Sequence, residues 1–147
     1  MEDLDPEVVL AMAAQAPDGI VIVDREGLIR HWNRGAERIF GYSAADVAGR
    51  DLDIIIPEKH RKRHADGFRT AMERGATRYG EADLLTVPAL AADGRTLSIE
   101  FSVVLLTGSD DGAHVGAVIR DVTARRARER EMMRRRAEAA TSEHTTV

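Results

Sequence analysis

The chain has 147 residues, 44% hydrophobic and 31% charged, which is enough for one domain with an apolar core. It contains no cysteine, which excludes disulfides, thiolate metal sites and flavin–cysteinyl photochemistry. The net charge of −4 divides into +3 over residues 124–147 (seven Arg, four Glu) and therefore −7 over residues 1–123. An acidic body argues against nucleic acid as a partner. The chain has no long apolar run and no basic-then-apolar start, so we expect a cytoplasmic protein that does not enter a membrane.

The first half of the sequence predicts a helix, a hairpin and two short helices. Residues 1–16 form the N-terminal amphipathic helix, since Asp5 and Pro6 suit its first positions and apolar residues recur at helical spacing. Residues 20–24 and 28–32 predict a β-hairpin around a turn at 25–27. Asn33 should cap a helix that ends at Gly41, and a second short helix should end at Gly49.

The second half predicts a long helix, three strands and an exit helix. Pro57 opens the long helix, which runs to about Gly75. Strands are expected over 79–89, ended by Pro88, and over 96–106 and 113–122. A helix over 124–140 leaves the body, and residues 141–147 are expected to be disordered.

Several short motifs, in their order along the chain, resemble the PAS family over about residues 16–123. They are Asp18-Gly19-Ile20, Asp24-x-x-Gly27, Trp32-Asn33-x-x-Ala36-x-x-x-Phe40-Gly41-Tyr42, Gly49, Ile56-Pro57-Glu58, Asp93-Gly94 and Arg120-Asp121-Val122-Thr123. The resemblance implies an α+β PAS fold. It has a five-stranded antiparallel sheet in the order 2-1-5-4-3, short helices on one face, and flanking N- and C-terminal helices. The PAS domain would span 17–123, and 124–147 would be a signalling helix with a disordered tail.

One histidine of the long helix is the sharpest candidate for chemistry. His64 lies seven residues after Pro57, which is similar to the haem-binding branch of the family, including FixL-type oxygen sensors and carbon monoxide-sensing regulators. There a histidine at this place is the proximal iron ligand, so the resemblance implies haem b on His64, with His60 as the backup ligand. A neutral imidazole suits haem iron and leaves the opposite axial position open for a gas. A histidine on a helix face is also often structural. The His60–His64 spacing would suit zinc too, although no third ligand is evident nearby.

The remaining candidate pocket residues come from the strands and from the long helix. The alternating apolar residues of two neighbouring strands should form a wall facing that helix: Leu85, Val87, Ile99, Phe101 and Val103, with Phe68 opposite. For the haem propionates we rank Arg69 and Tyr79 first. Leu85 stands where the resembling oxygen sensors place an arginine. Bound O2 would therefore lack a hydrogen-bond donor, which favours CO or NO.

These features favour a haem-based sensor of a diatomic gas or of redox state, which passes its signal through the flanking helices to a downstream partner that the sequence does not identify. The alternative is a cofactor-free PAS dimerisation or interaction module, and a flavin such as FAD near Trp32 and Asn33 is third. We expect no enzyme, because no nucleophile–base pair, phosphate-binding loop or paired carboxylates are evident. Apolar residues on both flanking helices favour a homodimer.

Overall fold

The computed structural model describes residues 2–77, 80, 83–107 and 112–145, with side chains described up to 142. Its helices are α1 (Pro6–Gln15), α2 (Arg34–Phe40), α3 (Ala44–Val47), a short 3₁₀ helix (Leu52–Ile55), α4 (Glu58–Arg74) and α5 (Thr123–Thr145). Its strands are β1 (Gly19–Val23), β2 (Ile29–Trp32), β3 (Leu85–Leu90), β4 (Thr96–Leu106) and β5 (His114–Asp121).

The five strands form one antiparallel sheet in the order β2-β1-β5-β4-β3, which confirms the predicted topology. The predicted alternation of β4 is also confirmed, because Leu97 and Ile99 are buried while Thr96 is exposed. The register places the odd-numbered residues of β3, β4 and β5 on the face that carries the core.

The core lies between this inner face of the sheet and the short helices. Its buried apolar residues are Val21, Val23, Ile29, Trp32, Ala36, Phe40, Val47, Ile55, Ala89, Ala91, Leu97, Ile99 and Ile119. At Gly35 a Cβ would overlap the carbonyl oxygen of Asp18, so only glycine lets α2 approach the start of β1 this closely. Gly41 ends α2 in the left-handed conformation at φ 81°, as predicted.

Asn33 joins three elements in the tightly packed end of the domain. Its carbonyl oxygen accepts from the backbone N–H groups of Ile20 (2.8 Å) and Ala36 (2.9 Å), and so caps α2 as predicted. Its amide nitrogen donates to the carbonyl oxygens of Ala13 (2.8 Å) and Asp18 (3.0 Å). This one side chain therefore fastens the end of α1 to β1 and α2.

Two predicted boundaries were wrong. The strand expected over 79–89 begins at Leu85 in the structure and continues through Pro88 to Leu90. Proline does not end it because β3 is an edge strand, where a missing N–H leaves no partner unpaired. The tail expected to be disordered from 141 onward is helical up to Thr145. Within this stretch, Thr141 Oγ1 donates to the Ala137 carbonyl oxygen at 2.9 Å.

The flanking helices pack loosely on the body. No residue of α1, which the structure describes throughout, is buried. The first turn of α5 is tied to the sheet by Arg125, whose Nη2 lies 2.6 Å from Glu100 Oε2. No helix in the described part of the chain has the length and apolar character needed to cross a membrane.

Candidate functional site

Helix α4 forms one wall of a cleft in the domain. Pro57 precedes it, and the negative charge of Glu58 is stabilising at the partly positive N-terminal end of the helix. Gly75 ends the helix at φ 67°. None of its residues, all of which are described, is buried. Its partly buried residues lie mainly on one face: His60, Arg61, His64, Phe68, Ala71 and Met72. Arg61 is partly buried, and its Nε donates to the Ile56 carbonyl oxygen at 3.0 Å.

A cleft of about 680 Å³ runs along this face of α4. Its opposite walls are the hairpin turn 25–27 and the segment 51–53. Its lining residues are Arg25, Glu26, Gly27, Asp51, Leu52, Asp53, Arg61, Lys62, His64, Ala65, Phe68, Arg69, Met72 and Glu73. This volume lies within the usual range of about 300–1,000 Å³ for small-molecule and cofactor sites.

The imidazole of His64 lies in this cleft, stacked on Phe68 with 6.4 Å between ring centroids. Burial lowers the pKa of His64 below its ordinary value, and the negative charges of Asp51 and Asp53 partly oppose that effect. The imidazole is therefore held in its neutral form at neutral pH, which is the form that binds a metal ion. Phe68 also packs against the core, so it fixes this part of α4 on the body.

Charged side chains surround the apolar floor of the cleft. Four cationic residues and four carboxylates line it, and Leu52, Ala65, Phe68 and Met72 supply its apolar surface. Of the cations, Arg69 is paired with Asp66 at 3.0 Å and is largely exposed. Gly27 brings the turn backbone close to α4, since a Cβ on it would lie 3.8 Å from the Phe68 ring.

The structure brings together only some of the predicted site residues. His64, Phe68 and Arg69 line the cleft, whereas His60 is partly buried outside it. The five predicted wall residues share the inner face of the sheet, but none of them lines the cleft. Ile99 is buried in the core, Phe101 packs against it, Leu85 and Val103 are partly buried, and Val87 is 38% exposed. Tyr79 lies outside the described residues.

Sequence reasoning missed the wall opposite α4. Gly27, Asp51 and Asp53 come from turns far from His64 in the chain, and the pairing of Leu28 with Asp51 brings these turns together. The local sequence signal for one of these turns is Asp51, a residue type that often caps helices. In the structure its side chain caps the 3₁₀ helix by accepting from the Asp53 N–H at 2.9 Å. Among the described residues, no three His, Asp or Glu side chains are placed to hold a metal ion, so the structure adds nothing to the zinc alternative.

Comparisons with known proteins agree with this architecture. The model of the family described as PAS fold matches residues 9–122. The sensor protein FixL of Bradyrhizobium diazoefficiens is 28% identical over 110 residues, which are 73% of this chain and 21% of FixL. The oxygen sensor protein DosP of Escherichia coli is 30% identical over 60 residues, 41% of this chain and 8% of DosP. The chain thus spans about a fifth or less of these relatives.

Solved structures show the same fold. The PAS domain of a Colwellia psychrerythraea protein superposes with a TM-score of 0.67 at 22% identity, covering 81% of this chain and 98% of that one. An RNA-binding light-oxygen-voltage receptor superposes with a TM-score of 0.69 at 22% identity, covering 90% of this chain and 37% of that one. With the family match extending over most of the chain and the sheet order confirmed, this protein belongs to the PAS family.

Proposed function

We propose that this PAS domain binds haem b through His64 and senses a diatomic gas or redox state. The observation that carries the proposal is a neutral, partly buried imidazole on α4 facing a cleft of cofactor size. The similarity to FixL and DosP, two proteins named as sensors, supports it. When bound by His64, haem would supply an iron able to take up a gas ligand.

The residues of the cleft fit such a group. His64 supplies a nitrogen ligand, and Phe68 and Met72 supply apolar contact for a macrocycle. Arg61, Lys62 and Arg69 would supply positive charge to the haem propionates. The same cations also offset the negative charges of Asp51 and Asp53. The inner-face residues Leu85, Val87, Ile99, Phe101 and Val103 remain proposed haem contacts on the strength of the resemblance to haem-binding PAS domains, and none of them lines the cleft.

Leu85 bears on which gas is sensed. It lies partly buried on the inner face of the edge strand β3 and has no hydrogen-bond donor in its side chain. Leu85 would offer no hydrogen bond to a gas held near it, and the binding of O2 would depend on such a donor more than that of CO or NO. The domain should therefore prefer CO or NO to stable O2 binding.

The signal would leave through the junction between β5 and α5. Thr123 Oγ1 accepts from the Ser98 N–H at 3.0 Å, and Asp121 Oδ1 accepts from the Thr123 N–H at 2.9 Å. These bonds couple the angle of α5 to β4, the strand that also carries Ile99 and Phe101. The output would lie in a downstream partner or a change within a cytoplasmic homodimer, and the domain itself would have no catalytic role.

The direct test is a visible absorption spectrum of the purified protein with haem supplied. We expect a Soret band in the wild-type protein, its loss or a shift in His64→Ala, and no change in the matched control His60→Ala. CO, NO and O2 titrations would then rank the gases. No Soret band in the wild-type protein, or the same band in all three proteins, would contradict haem ligation by His64.

A cofactor-free interaction module is the second candidate. It is favoured by the packing of Ile99 and Phe101 into the core and by their absence from the cleft lining. In that case His64 is a partly buried histidine that fixes α4 through Phe68. A colourless protein that remains folded and dimeric after haem has been supplied would support this candidate, and it would remove the haem proposal.

A further inference from the structure

We propose that the solvent-facing side of α4 is a docking surface for an acidic segment of a partner protein. The surface is one row of exposed residues, which we call the outer stripe: Lys59, Arg63, Gly67, Thr70 and Arg74. Its members follow one another in steps of four, four, three and four residues, so they lie on one face of the helix. The proposal does not depend on haem, because no member of the outer stripe lines the cleft.

The cations of the outer stripe have no anionic partner in the described part of the chain. Of the six Lys and Arg residues of α4, only Arg69 forms an ion pair there, with Asp66. In α5, whose arginines are all described, four of the seven pair with glutamates. Helix α5 therefore neutralises much of its positive charge locally, whereas α4 leaves its positive charge available to a partner.

The placement of these cations is unfavourable for the helix by itself. Lys59 lies in the first turn, at the partly positive N-terminal end of α4. Arg63 follows it by four residues, a spacing at which like charges destabilise a helix. A carboxylate bound between them would relieve both interactions. Residues that break a local rule without a gain inside the chain are expected where a protein meets a ligand or a partner.

Gly67, in the middle of the outer stripe, gives an independent argument. Glycine weakens a helix interior relative to alanine, so it usually has a packing reason there. The described residues supply no such reason, since a Cβ on Gly67 would meet nothing within 4 Å. The helix backbone is therefore bare between Arg63 and Arg74. A partner segment that crosses α4 at Gly67 can approach this backbone closely and place carboxylates on both arginines.

The charge of the rest of the domain favours a short acidic protein segment over a larger polyanion. Helix α4 carries six Lys or Arg against three Asp or Glu, so +3, and residues 1–123 carry −7. The remainder of residues 1–123 therefore carries −10, which would repel a nucleic acid or an anionic membrane that extends beyond the outer stripe. The outer stripe also has no aromatic side chain on which a base could stack. A protein segment with a few carboxylates contacts the stripe alone and avoids this repulsion.

The first test is the binding of a fluorescent acidic peptide to the full 147-residue chain, measured by fluorescence anisotropy. The peptide carries two pairs of glutamates about five residues apart, which in an extended chain spans the roughly 16 Å between Arg63 and Arg74. We expect binding that Arg63→Glu and Gly67→Gln each weaken about 10-fold or more. Arg128→Glu, an equal change of charge at an exposed arginine of α5, should have little effect.

Urea denaturation checks that the variants fold. Gly67→Gln should unfold no more easily than the wild-type protein, because glutamine suits a helix better than glycine and space is open at this position. Its loss of peptide binding would then come from the covered backbone and not from unfolding. An undetectable interaction with the peptide would overturn the proposal. So would a loss in Arg128→Glu as large as that in Arg63→Glu, since net charge alone would then explain the binding.

Competition experiments separate the classes of partner. A single-stranded oligonucleotide and phosphatidylserine vesicles are each compared with the peptide at equal total charge. We expect both to bind more weakly than the peptide, because of the acidic remainder of the domain. Tighter binding of either one would overturn the assignment of a protein partner.

A selection from random peptides displayed on phage removes the choice of probe sequence. The wild-type protein should enrich peptides that contain several Asp or Glu residues. This enrichment should be lost with Arg63→Glu and Gly67→Gln and kept with Arg128→Glu. Enrichment of peptides without acidic residues, or acidic enrichment that survives in Arg63→Glu, would contradict the proposal. Because none of these tests depends on a Soret band, failure of the haem proposal and failure of this one are distinguishable.

Discussion

The two ends of the domain differ in how they are packed. Around α2 and β1, Phe40, Ile29 and Val47 are fully buried, and Asn33 connects α1, β1 and α2. In α4 itself no residue is buried, and a cleft separates the helix from the turns opposite. Close packing gives one end its stability, while the other end leaves an open cleft and can adjust at low cost. Regions that bind and move are drawn from the less stable parts of a fold.

The largest expected effect compares one aromatic residue from each end. Phe40→Ala should lower the free energy of unfolding by about 3–5 kcal/mol, because it opens a cavity in a fully buried site. Phe68→Ala should cost less than about 2 kcal/mol, since this ring is only partly buried. Urea denaturation measures both values. Equal losses would mean that α4 is packed as firmly as α2, and the comparison would fail.

The next effect concerns Asn33. Asn33→Ala should cost about 2–4 kcal/mol, because it leaves the Ile20 and Ala36 N–H groups without their acceptor and releases the end of α1. Asn33→Asp keeps the acceptor but loses the donor to the Ala13 carbonyl oxygen. It should therefore lose less stability while α1 exchanges its amide hydrogens faster. If Asn33→Asp leaves exchange in α1 unchanged, this side chain does not hold the helix.

The smallest effect concerns the electrostatics of the cleft. Asp51→Asn should lower the pKa of His64 further, because it removes a negative charge that favours the imidazolium and retains the oxygen that caps the 3₁₀ helix. An NMR titration of the apo-protein measures the shift, with Asp66→Asn, outside the cleft, as the control. A rise in the pKa of His64, or an equal fall in the control, would contradict the placement of Asp51 beside it.

The same shift predicts how the apo-protein responds to acid. The folded-state pKa of His64 lies below its unfolded value of 6.5, so the unfolded chain takes up the proton first. The neutral His64 ring therefore makes its full contribution to the free energy of unfolding above pH 6.5. This contribution declines as the pH falls from 6.5 through the lower folded-state pKa. His64→Asn should flatten this part of the stability profile, as urea midpoints between pH 5 and 7.5 would show. A profile as steep as that of the wild-type protein would exclude His64 as its cause.

Local patterns predicted the fold better than they predicted the site. The period-two alternation of β4 identifies its buried face, and Asn33 and Gly41 mark the ends of α2, because these signals act within a few residues. Pro88 was misjudged because the position of a strand at the edge of a sheet is not a local property. Of the residues predicted for the site, His64, Phe68 and Arg69 on α4 line the cleft, whereas the five predicted on β3 and β4 do not. The opposite wall of the cleft at Gly27 and Asp51 depends on a long-range pairing that no spacing in the sequence encodes.

Amide hydrogen exchange of the protein with and without supplied haem tests whether the loosely packed end around His64 is the ligand site. Without haem, α4 should exchange much faster than α2 and β1. One equivalent of haem should then slow exchange in α4 and in the 25–27 and 51–53 turns, and leave α2 unchanged. The same protection should be absent in His64→Ala. Equal exchange in α2 and α4, or protection by haem that is confined to α2 and β1, would contradict the claim that the loosely packed end around His64 is the ligand site.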